Sequence, residues 1–271
     1  FEKEFPKSMR AKGKHPNFVK SHLLRIRNYP LTLFGSRKID ELKKGDFEQY
    51  WVWRVENAMR RNPHKKELTP YTPSNNTLRY EGTSLNHLFE FAVDNGWLVS
   101  APEIKKPPLD EARRPTFTLA EYRILTRQMR EWVKEGEKWG SVGRDRFVVQ
   151  QNILILANSG ARVGEIRNLR WRDLRTTKAV GSDTDQVVER LVARVSGKTG
   201  SREVTFQEGS DRYVKNLFDL RTKELGHPPE LNEFVICHPT GEAIGYIRGA
   251  WETLMDFTGL RFNDKGERRT L

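Results

Sequence analysis

Residues 158–174 read NSGARVGEIRNLRWRDL and follow the apolar run FVVQQNILILA at 147–157. The run predicts a buried helix, and Gly160 is the residue type that ends one, because it takes the left-handed conformation at little steric cost. Against that buried floor the chain at once places an arginine and a glutamate, Arg162 and Glu165. Val163, Ile166 and Leu169 recur every third residue and are expected to face the core. Arg162 is then expected in the first helical turn, where an anion would meet both a guanidinium and free backbone N–H groups. Glu165, one turn on, can lie beside Arg162 and fix its fork. An ordinary helix start with an internal ion pair would use the same residues, so the rest of the chain has to separate the two readings.

Lysine and arginine number 48 against 36 aspartates and glutamates, a formal charge of +12 over 271 residues. An extended polyanion is the partner such a balance favours; a basic surface kept only for solubility is the alternative. The single cysteine, Cys237, excludes an internal disulfide framework and a cysteine-type zinc cluster, fits a reducing compartment, and reads as a small core residue. No apolar run approaches the roughly 20 residues of a membrane span, and FEKEFPKSMRAKGKHP lacks a signal-peptide pattern. Neither a Gly-rich phosphate loop nor a paired-carboxylate metal motif is present.

Before residue 105 the patterning is helical. NFVKSHLLRIRN (17–28) is amphipathic, a long helix is predicted to end before Pro63, and a loop with Pro70 and Pro73 precedes a helix closed by Asn95 and Gly96. Leu85, Leu88, Phe89 and Ala92 share one face of that helix. No period-2 strand is visible, so residues 1–104 are expected to form an all-helical unit. At its last helix Asn75, Asn76, Thr77, Arg79 and Tyr80 offer donors for reading bases, or serve as caps and a solvated face. APEIKKPPLDEARRPTF holds prolines and charges without a helix or strand pattern, and residues 105–115 are assigned as a linker. Its Lys105, Lys106, Arg113 and Arg114 could follow a phosphate backbone or simply be solvated. Residues 116–271 form the second domain. Thr118 caps a helix, QVVERLVARVSGKTGSREVTF reads as a β-hairpin with Lys198 near its tip, SDRYVKNLFDLRTKEL returns to helix, FVICH is a short strand, and a last helix covers AIGYIRGAWETLMDFTGL. The fold class is mainly α: a helical unit, then an α+β unit with a small antiparallel sheet.

The segment G-A-R-V-G-E-I-R-N-L-R-W-R-D-L resembles the first arginine box of the tyrosine recombinases, the phage-integrase family, whose pattern is T-G-x-R-x-x-E-I/L-x-x-L-x-W-x-D-I/L. Gly160, Arg162, Glu165, Ile166, Leu169, Trp171, Asp173 and Leu174 match, and Ser159 replaces the frequent Thr. The helical first half, with its W-x-W helix and AVDNGWL ending, is similar to the family's core-binding domain, and GKTGSREVTF to the hairpin that carries the family lysine. The resemblance implies transesterification of a DNA phosphodiester through a phosphotyrosine, with neither ATP nor metal. Arg162 would grip the non-bridging oxygens of the scissile phosphate and Lys198 would protonate the departing 5′ oxygen. Glu165 would support the arginine. Double-stranded DNA is the implied partner, two domains would clamp it, and a homotetramer on DNA is implied for the full-length protein in a bacterial or phage-host cytoplasm. Accessory or directionality proteins are further candidates.

The same pattern requires an H-x-x-R box and then a tyrosine nucleophile after the lysine. The one H-x-x-R string, His22-Leu23-Leu24-Arg25, lies in the first domain and reads as surface or DNA-backbone contact. Tyr213 and Tyr246 read as packing residues, and His227 and His238, each before a proline, as turn residues. In the family the box follows an exposed stretch such as DKGERRTL. The expectation is therefore a catalytic domain incomplete at its C-terminus, part of a longer recombinase, that binds DNA but cannot cleave it as written. The alternatives are a recombinase-derived DNA-binding or regulatory protein without chemistry, and a basic helical RNA-binding protein.

Overall fold

A computed structural model of the chain describes residues 2–61, 67–110, 115–180, 187–197 and 200–269. The chain forms two compact units, Phe1–Arg113 and Arg114–Leu271.

In the first unit five helices, α1 (Glu4–Ala11), α2 (Pro16–Asn28), α3 (Pro30–Phe34), α4 (Lys44–Glu56) and α5 (Asn75–Asp94), surround two apolar clusters. Prolines open α2 and α3, where a missing N–H costs nothing. Ser74 caps α5 by accepting the Thr77 N–H at 3.3 Å, and Gly96, at φ 70°, lets the chain turn off its end. Leu85 and Phe89 of α5 meet Phe34, Phe47 and Tyr50, while Phe91 meets Phe5, Met9 and Val19 on another side.

The expected all-helical unit and the helix running to Pro63 need correction. α4 ends at Glu56, and a three-residue antiparallel ladder follows, β1 (Met59–Arg61) with β2 (Leu68–Pro70). A buried charge network ties this ladder to the helices. Arg54, 1% exposed, donates to both carboxylate oxygens of Glu81 at 2.9 Å, to the Tyr71 hydroxyl at 3.2 Å, and stacks 3.3 Å over the Tyr29 ring. Tyr50 donates to the same carboxylate, and Tyr29 to the Met59 carbonyl.

Residues 101–110 have no regular structure, yet they are not a free linker from 105 onward. Ile104 is buried in the core of the first unit, the Trp51 indole donates to the Lys105 carbonyl, and Arg79 donates to the Pro107 carbonyl at 2.6 Å. Gly82 makes room for this strap: a Cβ there would meet the Lys106 side chain at 3.0 Å and the Trp51 ring at 3.3 Å.

The second unit contains α6 (Leu119–Glu137), α7 (Ser141–Ser159), α8 (Val163–Arg167), α9 (Asp211–Leu225) and α10 (Arg248–Thr258). Its sheet has β3 (Leu174–Val180), β4 (Val187–Gly197) and β5 (Gly200–Thr205) in that order, all antiparallel. Thr118 and Glu121 close a reciprocal capping box at the start of α6. One core joins Met129 and Trp132 of α6, Ile155 of α7, Val195 and Val204 of the sheet, Leu217 of α9 and Leu254 of α10. FVICH is not a strand: it makes isolated bridges, Arg170 to Phe234 and Cys237 to Ala243. Cys237 is buried, and burial pushes its thiol pKa up. The DKGERR stretch is exposed only in part, because Arg269 is buried against Phe117 and donates to Glu121 at 2.6 Å. Among the described residues no helix is long and apolar enough to cross a membrane.

Candidate phosphate-binding site and nucleic-acid interface

α7 stops at Gly160, which sits in the left-handed region (φ 64°, ψ 15°) with its N–H on the Leu156 carbonyl. A side chain would be strained there, and the glycine lets the chain turn sharply. Arg162 follows in extended conformation (φ −76°, ψ 149°) as the N-cap of α8, not within its first turn. Its N–H donates to Glu165 Oε2 at 2.8 Å, so this backbone donor is engaged by the protein and is not open to an anion. Ile166 and Leu169 enter the core as expected, whereas Val163 is exposed, being the first helical residue where the chain is still leaving the surface.

Glu165 is the pivot of the site. Its side chain is 3% exposed, and Arg162 Nη1 reaches Oε1 at 2.8 Å from a side chain that is 65% exposed. From the opposite element, Arg202 of β5 donates through Nη2 to Oε2 at 2.8 Å and through Nε to Oε1 at 3.4 Å. These bonds hold the Glu165 carboxyl at about 2, the Arg202 hydrogen bond contributing most, then the Arg162 backbone N–H, with burial opposing them. Two guanidiniums on one carboxylate leave the site with net positive charge. No motif designates Arg202, and in SREVTF it reads as a strand-surface residue.

The hairpin abuts the same carboxylate. Gly197 pairs with Gly200 across β4 and β5, and a Cβ on Gly197 would lie 3.2 Å from Glu165 Oε1. Lys198 lies outside the described residues, as do Arg113 and Arg114. Beside α8 opens a cavity of about 440 Å³ with an apolar floor that includes Ile244 and Trp251 and a rim that includes Arg167 and Arg268. Tyr246 lines it and is 90% exposed, so it is not the packing residue expected, whereas Tyr213 does pack against the core.

In the first unit the candidate base-reading residues divide. Asn75, Asn76 and Thr77 are half-buried in the first turn of α5, where Ser74 Oγ contacts both the N–H and the hydroxyl of Thr77. Tyr80 is exposed beneath the Arg25 guanidinium, 5.2 Å from its ring. Arg79 donates through Nη1 to the Pro107 carbonyl and so tethers the strap. Lys105 is exposed and Lys106 half-buried against Gly82. His22 is not a surface residue. It is buried, 2.8 Å from the Ser84 hydroxyl, and burial, then His87 and Arg25, lower its pKa to about 4.

The chain thus combines a helical unit and an α+β unit, with a guanidinium presented at the break after α7. Solved structures match it at the level of fold. The integrase of the Tn1549 transposon, in complex with transposon right-end DNA, is 16% identical with a TM-score of 0.64, covering 98% of this chain and 79% of that one. XerH site-specific recombinase bound to palindromic difH substrate is 16% identical with a TM-score of 0.61, covering 96% and 68%. A lambda integrase fragment, a dimer bound to a COC′ core site, is 13% identical with a TM-score of 0.59, covering 98% and 78%. The chain thus has the tyrosine-recombinase fold. No protein-family model and no curated protein matches the sequence.

Proposed function

We propose that the chain is the DNA-binding and phosphate-holding part of a site-specific recombinase or integrase of a mobile element, working on double-stranded DNA in the cytoplasm. The observation that carries this reading is Arg162, held by buried Glu165 at the exposed end of α7 within a recombinase fold. Among the described residues only Nη1 of its guanidinium is bonded, so the remaining N–H groups can meet the non-bridging oxygens of a phosphate. In the proposed reaction a tyrosine hydroxyl attacks phosphorus and releases its proton to water, the bond to the 5′ oxygen breaks, and Lys198 gives that oxygen a proton. Arg162 offsets the charge that grows on the non-bridging oxygens. The phosphodiester energy stays in the phosphotyrosine, so the proposal calls for neither nucleotide nor metal. Within residues 1–271 no H-x-x-R string follows Lys198, so the attacking hydroxyl is assigned to none of the tyrosines.

Contacts to bases are assigned to Asn75, Asn76, Thr77 and Tyr80, and contacts to the DNA backbone to Lys105, Lys106, Arg113 and Arg114. A homotetramer on two duplexes is the assembly proposed for the full-length protein, with accessory proteins setting direction. The alternative is a regulatory DNA-binding protein without chemistry. The test is a nicked suicide duplex. A full-length recombinase traps a covalent adduct that Arg162→Ala and Lys198→Ala each depress, whereas absence of an adduct in every form leaves binding without chemistry.

A further inference from the structure

We propose that Arg202 is a positioning residue for phosphate recognition: it fixes the Glu165 carboxylate, and Glu165 in turn holds the Arg162 guanidinium towards the phosphate. The inference rests on the reading of Arg162 as a DNA-phosphate ligand.

Donor inventory separates the two arginines. A guanidinium has five N–H hydrogens. Arg202 commits three: Nε–H to Glu165 Oε1, and Nη2 to both Glu165 Oε2 and the Gly160 carbonyl at 3.4 Å. Arg162 commits one, through Nη1, and is the more exposed, 65% against 44% for Arg202. Arg202 is therefore turned towards the protein and Arg162 towards solvent. Its third bond falls on the residue whose left-handed backbone creates the break before Arg162. Arg202 thus secures both supports of Arg162, the carboxylate and the turn.

The position also closes the site. Glu165 Oε1 receives Arg162 and Arg202, Oε2 receives the Arg162 N–H and Arg202, and Gly197 approaches Oε1 to 3.2 Å. Without Arg202 the buried carboxylate loses both of its hydrogen bonds to the hairpin, and its bonds to the Arg162 N–H and Nη1 must orient both groups. A residue that merely held β5 in place would not pass its loss to Arg162. A residue that touched DNA itself would not need Arg162 for its effect.

The test is a double-mutant cycle on the 271-residue protein, using a fluorescent DNA duplex of fixed sequence, with Arg162→Ala, Arg202→Ala, Arg202→Lys and Arg162→Ala/Arg202→Ala. Arg162→Ala is expected to weaken binding about tenfold, the scale of one charge-assisted contact. Arg202→Ala is expected to weaken it severalfold in the native background and to add nothing once Arg162 is gone. Arg202→Lys keeps the charge without the fork and is expected to recover less than half of the loss. The second readout is the carboxyl ¹³C shift of Glu165 against pH, with its midpoint at about 2 in the native protein and moved upward in Arg202→Ala. Additive losses, or native binding and an unmoved Glu165 titration in Arg202→Ala, overturn the positioning role while leaving Arg162 in place. Equal binding by the native protein and Arg162→Ala overturns the phosphate reading itself.

Discussion

The Arg202 guanidinium lies 2.8 Å from Oε2 of Glu165, although 37 residues separate them in sequence. Through this contact the hairpin strand β5 and the short helix α8 share one buried carboxylate. Glu165 consequently stays ionised at every pH at which the protein is ordinarily handled, with its pKa at about 2.

A consequence for acid stability follows from the sign of that shift. A carboxyl whose folded pKa is depressed contributes stability that is complete above its unfolded value, and loses it as pH falls towards the folded value. The melting temperature of Glu165→Gln should therefore lie below that of the native protein by a constant amount above about pH 5. The gap should close as pH falls towards about 2. Scanning calorimetry across pH 2–8 measures this; a gap that widens on acidification contradicts it.

His22 has the opposite charge type and loses stability over a different window. It is buried and its pKa is lowered from 6.5 to about 4, so the unfolded chain takes up a proton that the folded chain refuses between those values. His22→Gln, which keeps a polar partner for Ser84, should flatten the decline of melting temperature between pH 6.5 and 4. Parallel pH profiles for the two proteins would exclude this.

The Arg54–Glu81 pair organises the first unit. Arg54→Met leaves a buried carboxylate whose one remaining hydrogen-bond partner among the described residues is the Tyr50 hydroxyl, and should cost about 3–5 kcal/mol in urea unfolding. The double variant Arg54→Met/Glu81→Leu should regain most of that loss. If the double variant is as unstable as Arg54→Met, the unpaired charge is not the cause.

Arg79 tests the reassignment of a predicted DNA contact. Because its guanidinium holds the Pro107 carbonyl, Arg79→Ala should loosen residues 104–107 and speed amide exchange at Ile104, Lys105 and Lys106, with DNA affinity changed less than about twofold. Tyr80→Ala, which removes an exposed ring under Arg25, should weaken DNA binding without affecting that exchange. A larger DNA defect in Arg79→Ala than in Tyr80→Ala would restore the sequence-based assignment.

What could be read from sequence was what is local in it. The helix end at Gly160, the Arg162–Glu165 pair and the hairpin around Gly197 and Gly200 depend on residues a few positions apart, and each was legible. Arg202 was not, because its role exists only once β5 is laid beside α8. The β1–β2 ladder was hidden because three residues a side carry no alternation, and Tyr71 and Arg54 hold it from outside. One polar letter misled: His22 looks like a surface residue, but it is buried beside the Ser84 hydroxyl.

The most direct test of the central claim, that Arg162 holds a DNA phosphate, is the salt dependence of duplex binding by the native protein and Arg162→Ala. The logarithm of the affinity should fall linearly with the logarithm of salt concentration. Arg162→Ala should bind about tenfold more weakly to every sequence, with a slope smaller by about 1. Superimposable lines for the two proteins would contradict the account.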